Sequence, residues 1–294
     1  MNRFLERLEK DRVLVADGAT GTNLQQMGLG AGMHAEDWVL DSPEKILGLE
    51  EAFVAAGSDI ILTCSFGATR PRMKGARHAD DVELVNRRAA ELAREAAGGS
   101  NNIIVAGSMG PLGQLLQPYG PLRPQEAQSE FAEQARALVQ GGVDLLLIET
   151  HFAFEEATAA LQAVRSVTDL PVVVSFSYDR GTRSMMGAKP AEVVKRYRAM
   201  GAAMVGANCG TTLENMETIL KEYAATEPGF PLWAKPNAGM PRIQGTETLY
   251  DVTPAQMAEY ALKYVDLGAR VVGGCCGSTP EHVRAIASAA RSKR

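Results

Sequence analysis

Eight short apolar runs, rich in β-branched residues, recur along the chain, and each is followed by a segment of helical periodicity. That alternation constrains the fold more than any other feature. The runs cover residues 12–16, 59–62, 103–105, 144–148, 171–174, 203–205, 231–234 and 269–272. Short runs of this mainly apolar character predict buried parallel strands covered on both faces. Between them, Phe154, Ala157, Leu161 and Val164 mark one amphipathic helix, and Val82, Val85, Ala89, Leu92 and Ala96, closing on Gly98-Gly99, mark another. Ser42-Pro43, Thr253-Pro254 and Thr279-Pro280 predict helix starts with a capping hydroxyl ahead of a proline, and Thr253 with Gln256 predicts a capping box. Eight strands alternating with eight helices predict an α/β fold, a (β/α)8 TIM barrel forming a single domain over residues 1–294. A doubly wound open sheet fits less well, because it has fewer strands and a reversal of strand order. The longer segments 18–43 and 66–81 are expected to fold over the barrel mouth.

Composition supports an ordinary globular enzyme, with 46% hydrophobic and 22% charged residues. A formal charge of -5 without a Lys/Arg run gives no footprint for nucleic acid and favours small-molecule ligands. No apolar stretch approaches the roughly 18 residues that span a bilayer, and the N-terminal MNRFLERLEKDR has no signal-peptide character. A cytoplasmic protein is expected. In that reducing compartment, Cys64, Cys209, Cys275 and Cys276 are read as metal ligands or catalytic groups before disulfides.

In a barrel of this kind the active site lies at the carboxyl ends of the strands. The first run ends in Asp17-Gly18-Ala19-Thr20-Gly21-Thr22, the fourth in Glu149-Thr150, the sixth in Asn208-Cys209-Gly210, and the eighth in Gly273-Gly274-Cys275-Cys276-Gly277. Three cysteines therefore reach one rim. Side chains alternate along a regular strand, so Cys275 and Cys276 face one centre only where the backbone has turned, as the flanking glycines permit. With Cys209 they form a three-thiolate set. Three protein ligands on tetrahedral zinc leave one position open, the arrangement of a catalytic site, and that position suits a substrate thiol activated as a metal-bound thiolate. Cys64 reads as inert packing. Asp17 and Glu149 end their strands as carboxylates facing the mouth and suit a substrate ammonium. The four histidines form no triad or second metal site, and His282 reads as solvated or capping.

These segments, with Ser278-Thr279-Pro280 after the cysteine pair, resemble the signatures of the homocysteine S-methyltransferase family over essentially the whole chain. The resemblance implies one zinc ion per chain held by Cys209, Cys275 and Cys276. It also implies homocysteine bound by its amino-acid end near Asp17, Gly18 and Glu149, with Asn208 counted among the substrate-binding residues, and methylation to methionine. Pro236-Asn237-Ala238-Gly239-Met240-Pro241 is similar to the homocysteine-binding module of cobalamin-dependent methionine synthase more than to the S-methylmethionine branch. The chain lacks the C-terminal extension of betaine-dependent enzymes and has no Asp-x-His-x-x-Gly motif for cobalamin. The methyl donor is therefore expected to be a separate methylcorrinoid protein or S-methylmethionine, with no cobalamin bound by the chain itself.

Two alternatives stand beside this. An aldolase-like barrel would use Lys235, at the end of the seventh run, as a Schiff-base amine, with the glycine-rich turn after the eighth strand as a phosphate cradle. A non-catalytic component would bind homocysteine or a corrinoid protein without turning it over.

Overall fold

The computed structural model describes residues 2–30, 32–99, 102–245 and 247–292. Eight parallel strands form one sheet: β1 (Leu14–Val15), β2 (Ile60–Leu62), β3 (Ile104–Met109), β4 (Leu145–His151), β5 (Val172–Phe176), β6 (Met204–Asn208), β7 (Leu232–Lys235) and β10 (Ala269–Val272). The sheet runs β1-β10-β7-β6-β5-β4-β3-β2. A parallel bridge between Ala16 and Ile60 brings its two edges together, with the Asp17 N–H donating to the Ile60 carbonyl at 3.0 Å. The predicted TIM barrel is therefore the fold.

Each of the eight runs became a strand, but β3 to β7 continue past the predicted ends, to Met109, His151, Phe176, Asn208 and Lys235. Strand alternation explains the shortfall. The barrel interior is a cluster containing Leu14, Ile60, Ile104, Ala106, Leu145, Leu147, Val173, Met204, Trp233 and Val271. Two residues further along, the inward positions become Ser108, Glu149, Ser175 and Lys235, and on β6, after Gly206, Asn208. The backbone ladder continues where the apolar signal stops, because the interior there is the floor of a cavity.

The outward residues of the strands, among them Val15, Ile61, Val105, Leu146, Ile148 and Val174, pack against the surrounding helices in a second cluster. α4 (Pro43–Ala56), α5 (Val82–Ala96), α6 (Pro124–Gln140), α7 (Phe154–Val167), α8 (Pro190–Ala199), α9 (Leu213–Thr226), α10 (Pro254–Asp266) and α11 (Pro280–Arg291) supply the expected ring. Three further α-helices were not foreseen. α1 (Arg3–Lys10) buries Phe4 in the barrel interior, and α2 (Thr20–Gln26) and α3 (Trp38–Asp41) lie in the connection after β1. A two-stranded hairpin, β8 (Arg242–Gln244) with β9 (Glu247–Leu249), follows β7. Among the described residues no helix is long and apolar enough to cross a membrane.

The cap at Thr253 forms as predicted, its hydroxyl accepting from the Gln256 N–H at 3.3 Å while the Gln256 side chain accepts from the Thr253 N–H at 2.9 Å. His282 is a capping residue: its Nδ1 lies 3.2 Å from the Thr279 N–H and its Nε2 2.9 Å from the Val252 carbonyl. Ser42 departs from expectation, since its backbone takes φ -148° and ψ 54° and its side chain makes no capping bond to α4.

The two long segments expected over the mouth are stapled together. Glu36 accepts from the Gly67 N–H at 2.6 Å, and Asp37 accepts from the Arg77 and His78 N–H groups. The His78 ring lies 3.0 Å from Asp41 and 3.3 Å from Asp81. The hydrogen bond to Asp41, supported by Asp81, raises the His78 pKa above its ordinary value of 6.5. A raised histidine pKa contributes stability that is full below the unfolded value and lost as pH rises through the folded one. His78→Asn is therefore expected to lower the melting temperature more at about pH 5.5 than at about pH 9. An equal loss at both would contradict an ionic role.

Candidate active site and metal centre

The strand ends enclose a cavity of about 420 Å³ lined by residues of the β1, β2, β3, β4, β6, β7 and β10 ends. Gly18, Ala19 and α2 form one wall, with Glu36, Cys64 and Phe66 beside it; Ser108, Glu149, Thr150 and Lys235 are its polar residues, and Cys209, Cys275 and Cys276 complete it.

The three cysteines come together as predicted. Cys209 Sγ lies 2.7 Å from Cys275 Sγ and 3.5 Å from Cys276 Sγ, all three sulfurs fall within 4.8 Å of one another, and all are free thiols. The turn after β10 is pinned from both sides: the Cys275 N–H donates to Pro236 O at 2.7 Å, the Ala238 N–H to Cys276 O at 2.9 Å, and the Gly274 N–H to Asp17 O at 3.1 Å. Gly277 closes it at φ 79°, and a Cβ there would lie 2.2 Å from the Tyr250 ring. Cys209 takes a left-handed conformation itself, at φ 54°. A non-glycine residue there costs about 1–2 kcal/mol, and such strain concentrates at functional sites.

The donor set suits a soft divalent ion. Hydrogen bonds to Cys275 and Cys276, together with burial, push the Cys209 thiol well above its ordinary range, while hydrogen bonds from Cys209 and Cys275 draw Cys276 down to about 3. A divalent cation lets all three ionise together, and tetrahedral zinc at about 2.3 Å from each sulfur needs an S–S spacing near 3.8 Å, within reach of small side-chain rotations here. Cys64 lies on the cavity wall but outside this cluster, 4% exposed, with burial pushing its thiol up.

Among the other predicted site residues, Gly18 lines the cavity, and a Cβ there would lie 2.7 Å from Phe53 and 2.8 Å from Ser278 O; a side chain would displace the wall. Glu149 also lines the cavity, 6% exposed, its Oε1 accepting from Ser108 Oγ at 2.5 Å. Burial raises its carboxyl to about 7 against the pull of Lys235.

Asp17 does not have the free carboxylate that the sequence suggested. Its Oδ1 is bonded to Lys235 Nζ at 2.5 Å and its Oδ2 accepts from the Leu62 N–H at 2.7 Å. Both side chains are 2% exposed. Burial raises the Asp17 carboxyl above its ordinary range, opposed by Lys235. For Lys235 burial works against the charge, but Asp17 and Glu149 outweigh it and raise its pKa. A charged, ion-paired ammonium is not a nucleophilic amine, which removes the basis of the Schiff-base alternative.

Asn208 is fully buried. Its Oδ1 accepts from the Thr150 N–H at 3.0 Å and from Ser175 Oγ at 2.6 Å; its Nδ2 donates to Thr150 Oγ1 at 2.7 Å and approaches Cys275 Sγ at 3.9 Å. The amide thus serves protein groups rather than facing a substrate. It holds Thr150, at φ 63°, in a conformation that β-branched residues avoid. Asn208→Ala is expected to cost about 3 kcal/mol in urea unfolding, because several buried partners lose their bonds at once. A loss under about 0.5 kcal/mol would contradict this role.

Sequence reasoning passed over Ser108, Ser175 and Tyr250, and did not pair Lys235 with Asp17. Counting in twos from Leu145 and Leu147 reaches Glu149, and the same count on β3 and β5 finds Ser108 and Ser175. Nothing local marks Tyr250, which reaches the turn from beyond the β8–β9 hairpin.

With this geometry in view, the comparison with known proteins is specific. The model of the family described as homocysteine S-methyltransferase matches residues 14–290. The chain belongs to the homocysteine S-methyltransferase family. Methionine synthase of Mycobacterium leprae is 28% identical over 302 residues, covering 97% of this chain and 25% of that protein. Methionine synthase of Mycobacterium tuberculosis is 28% identical over 294 residues, covering 95% and 24%. The chain thus spans about a quarter of the length of these relatives. Among solved structures, the homocysteine methyltransferase MmuM from Escherichia coli superposes in its metallated form with TM-score 0.83 at 24% identity, over 98% of this chain and 99% of that one. Its oxidized form gives 0.82 at 25% identity, with the same coverage.

Proposed function

We propose that the chain is a zinc-dependent methyltransferase that methylates the thiol of homocysteine to methionine, with one zinc held by Cys209, Cys275 and Cys276. The observation that carries this reading is the three-sulfur cluster in the wall of a cavity that Ser108, Glu149, Thr150 and Lys235 also line. Held by these three cysteines, the ion would supply Lewis acidity that lowers the pKa of an acceptor thiol and leaves its sulfur nucleophilic at neutral pH.

The chain's own residues orient the acceptor. Glu149 accepts the substrate ammonium, with Ser108 fixing the carboxylate's rotation. Gly18 lets the backbone after β1 come close to the ligand. Asn208 acts as a positioning residue through Thr150 and Cys275, and Asp17 acts through Lys235. Leu62, Ala35 and Phe66 make the dry part of the wall. Held in this way, the acceptor sulfur forms a bond to the methyl carbon as the bond from that carbon to the donor breaks, and the electron pair leaves with the donor. The donor is S-methylmethionine or a methylcorrinoid carried by another protein.

The test supplies zinc-loaded protein with homocysteine and methyl-labelled S-methylmethionine or methylcobalamin. Labelled methionine is expected with at least one donor, lost on chelation and restored by zinc. No methionine from either donor would overturn the reading.

A further inference from the structure

A second cavity, of about 340 Å³, opens beyond the ends of β3, β4 and β5 and shares Phe66 and Thr150 with the first. Phe152, Ser177 and two side chains of opposite charge, Arg72 and Asp179, also line it. Among the described residues neither charge makes a hydrogen bond or an ion pair, with the other or with a third group. Arg72 acts through space on Glu156, but that carboxyl is 2% exposed, its Oε1 accepts from the Leu112 N–H at 2.7 Å, and burial raises it to about 7. A carboxyl only about half-ionised at neutral pH does not cancel a guanidinium.

The walls of this cavity are fixed. The Phe66 ring lies on Gly110, where a Cβ would come within 2.6 Å of it, and the Gly110 N–H donates to the Phe66 carbonyl at 2.9 Å. The stem of Arg72 lies along Gly113, where a Cβ would be 2.9 Å from its Cδ. Ser184 Oγ donates to the Phe152 carbonyl at 2.7 Å, and Tyr178, next to Asp179, is tied by its hydroxyl to Tyr223 at 2.6 Å. Ser177 Oγ lies against Gly210, the neighbour of Cys209, where a Cβ would be 2.4 Å away. The second cavity therefore borders the first at Thr150 and comes close to Cys209.

Unpaired charges of both signs beside two aromatic rings match a small molecule that carries a carboxylate, an ammonium and a soft cation. A corrinoid macrocycle is too large for a cavity of this size. We propose that this cavity is the methyl-donor subsite and takes a sulfonium amino acid, Arg72 receiving its carboxylate and Asp179 its ammonium. Phe66 and Phe152 supply the aromatic surface for the sulfonium, which sits toward Phe66 and Thr150, the residues common to both cavities. The bond from the methyl carbon to the donor sulfur breaks as the bond to the acceptor sulfur forms. The electron pair stays on the donor sulfur, which leaves as a neutral thioether, and the acceptor thiol has already given its proton to solvent. The inference rests on the thiol-methyltransferase reading above and chooses between its two donors.

The test is calorimetric binding of three sulfonium compounds, each without homocysteine present: S-methylmethionine, (3-carboxypropyl)dimethylsulfonium, which lacks the amine, and (3-aminopropyl)dimethylsulfonium, which lacks the carboxylate. Homocysteine is titrated separately. The proteins are the zinc-loaded native chain, Arg72→Gln and Asp179→Asn; both residues are exposed, so neither change disturbs the core. In Arg72→Gln, S-methylmethionine and the carboxypropyl compound are expected to bind about 10- to 100-fold more weakly, the range for a charge-assisted hydrogen bond, with the aminopropyl compound changed by no more than about twofold. In Asp179→Asn the two analogues exchange places. Homocysteine affinity changes by no more than about twofold in both variants. Unchanged affinity for S-methylmethionine in either variant would overturn the proposal, and so would an equal loss for every ligand, homocysteine included, which would make the two residues purely structural. If S-methylmethionine does not bind the native protein the donor subsite falls, while formation of labelled methionine from methylcobalamin would keep the thiol-methyltransferase reading; if homocysteine does not bind either, that reading falls too.

Discussion

Replacing Cys209 with alanine is expected to take the zinc content of the purified protein from about one per chain to near zero, and methionine formation with it. The three sulfurs are supplied by two separate strand ends, and Cys209 approaches both partners, at 2.7 and 3.5 Å. Removing it leaves two adjacent cysteines on one turn, too few to fill a tetrahedral site that must keep one position for substrate. The loss should exceed the 10- to 100-fold that outer partners of a metal site are worth, since a ligand itself is gone. Folding should survive. Cys209 is half-buried at the rim, and its left-handed backbone is strained, so Cys209→Gly should melt no lower than Cys209→Ala. Normal zinc and normal turnover in Cys209→Ala would dismiss the cluster as a metal site.

The second large effect is on stability. Lys235→Met removes the counter-charge of a carboxylate that is 2% exposed, and breaking a buried pair from one side costs about 3–5 kcal/mol, because the remaining charge is left without compensation. Asp17→Asn in the same background should recover most of that loss, since an amide at this position can still accept from the Leu62 N–H. Urea unfolding of the two single variants and the double one gives the coupling directly. Additive losses, with no recovery in the double variant, would show that the 2.5 Å contact has little energetic weight.

Much of this was legible in the sequence, for physical reasons that also set the limit. The barrel could be read because strands buried on both faces must be apolar without interruption, as residues 145–148 are. The cysteines could be read because a thiol at each of two strand ends, one of them doubled between glycines, has few packing explanations. What the sequence hid is pairing across the barrel. Asp17 and Lys235 lie 218 positions apart, and nothing near either residue announces the other. The same holds for Asn208, whose partners Thr150, Ser175 and Cys275 come from three other strand ends. The upper ends of the strands were missed where inward residues turn polar, so the segment that carries the site is the one in which the hydrophobic pattern disappears. α1 was hidden because a short charged helix with one buried aromatic, Phe4, reads as solvent-facing until the open end of the barrel beneath it is known.

If three cysteines and one substrate sulfur share a zinc ion, zinc K-edge absorption of the purified protein, without and with homocysteine, reads that shell out. The expected result is about one zinc per chain in a shell of three sulfurs and one lighter atom, becoming four sulfurs at about 2.3 Å when homocysteine is added. A protein that takes up no zinc under reducing conditions, or a shell that homocysteine leaves unchanged, would contradict the account.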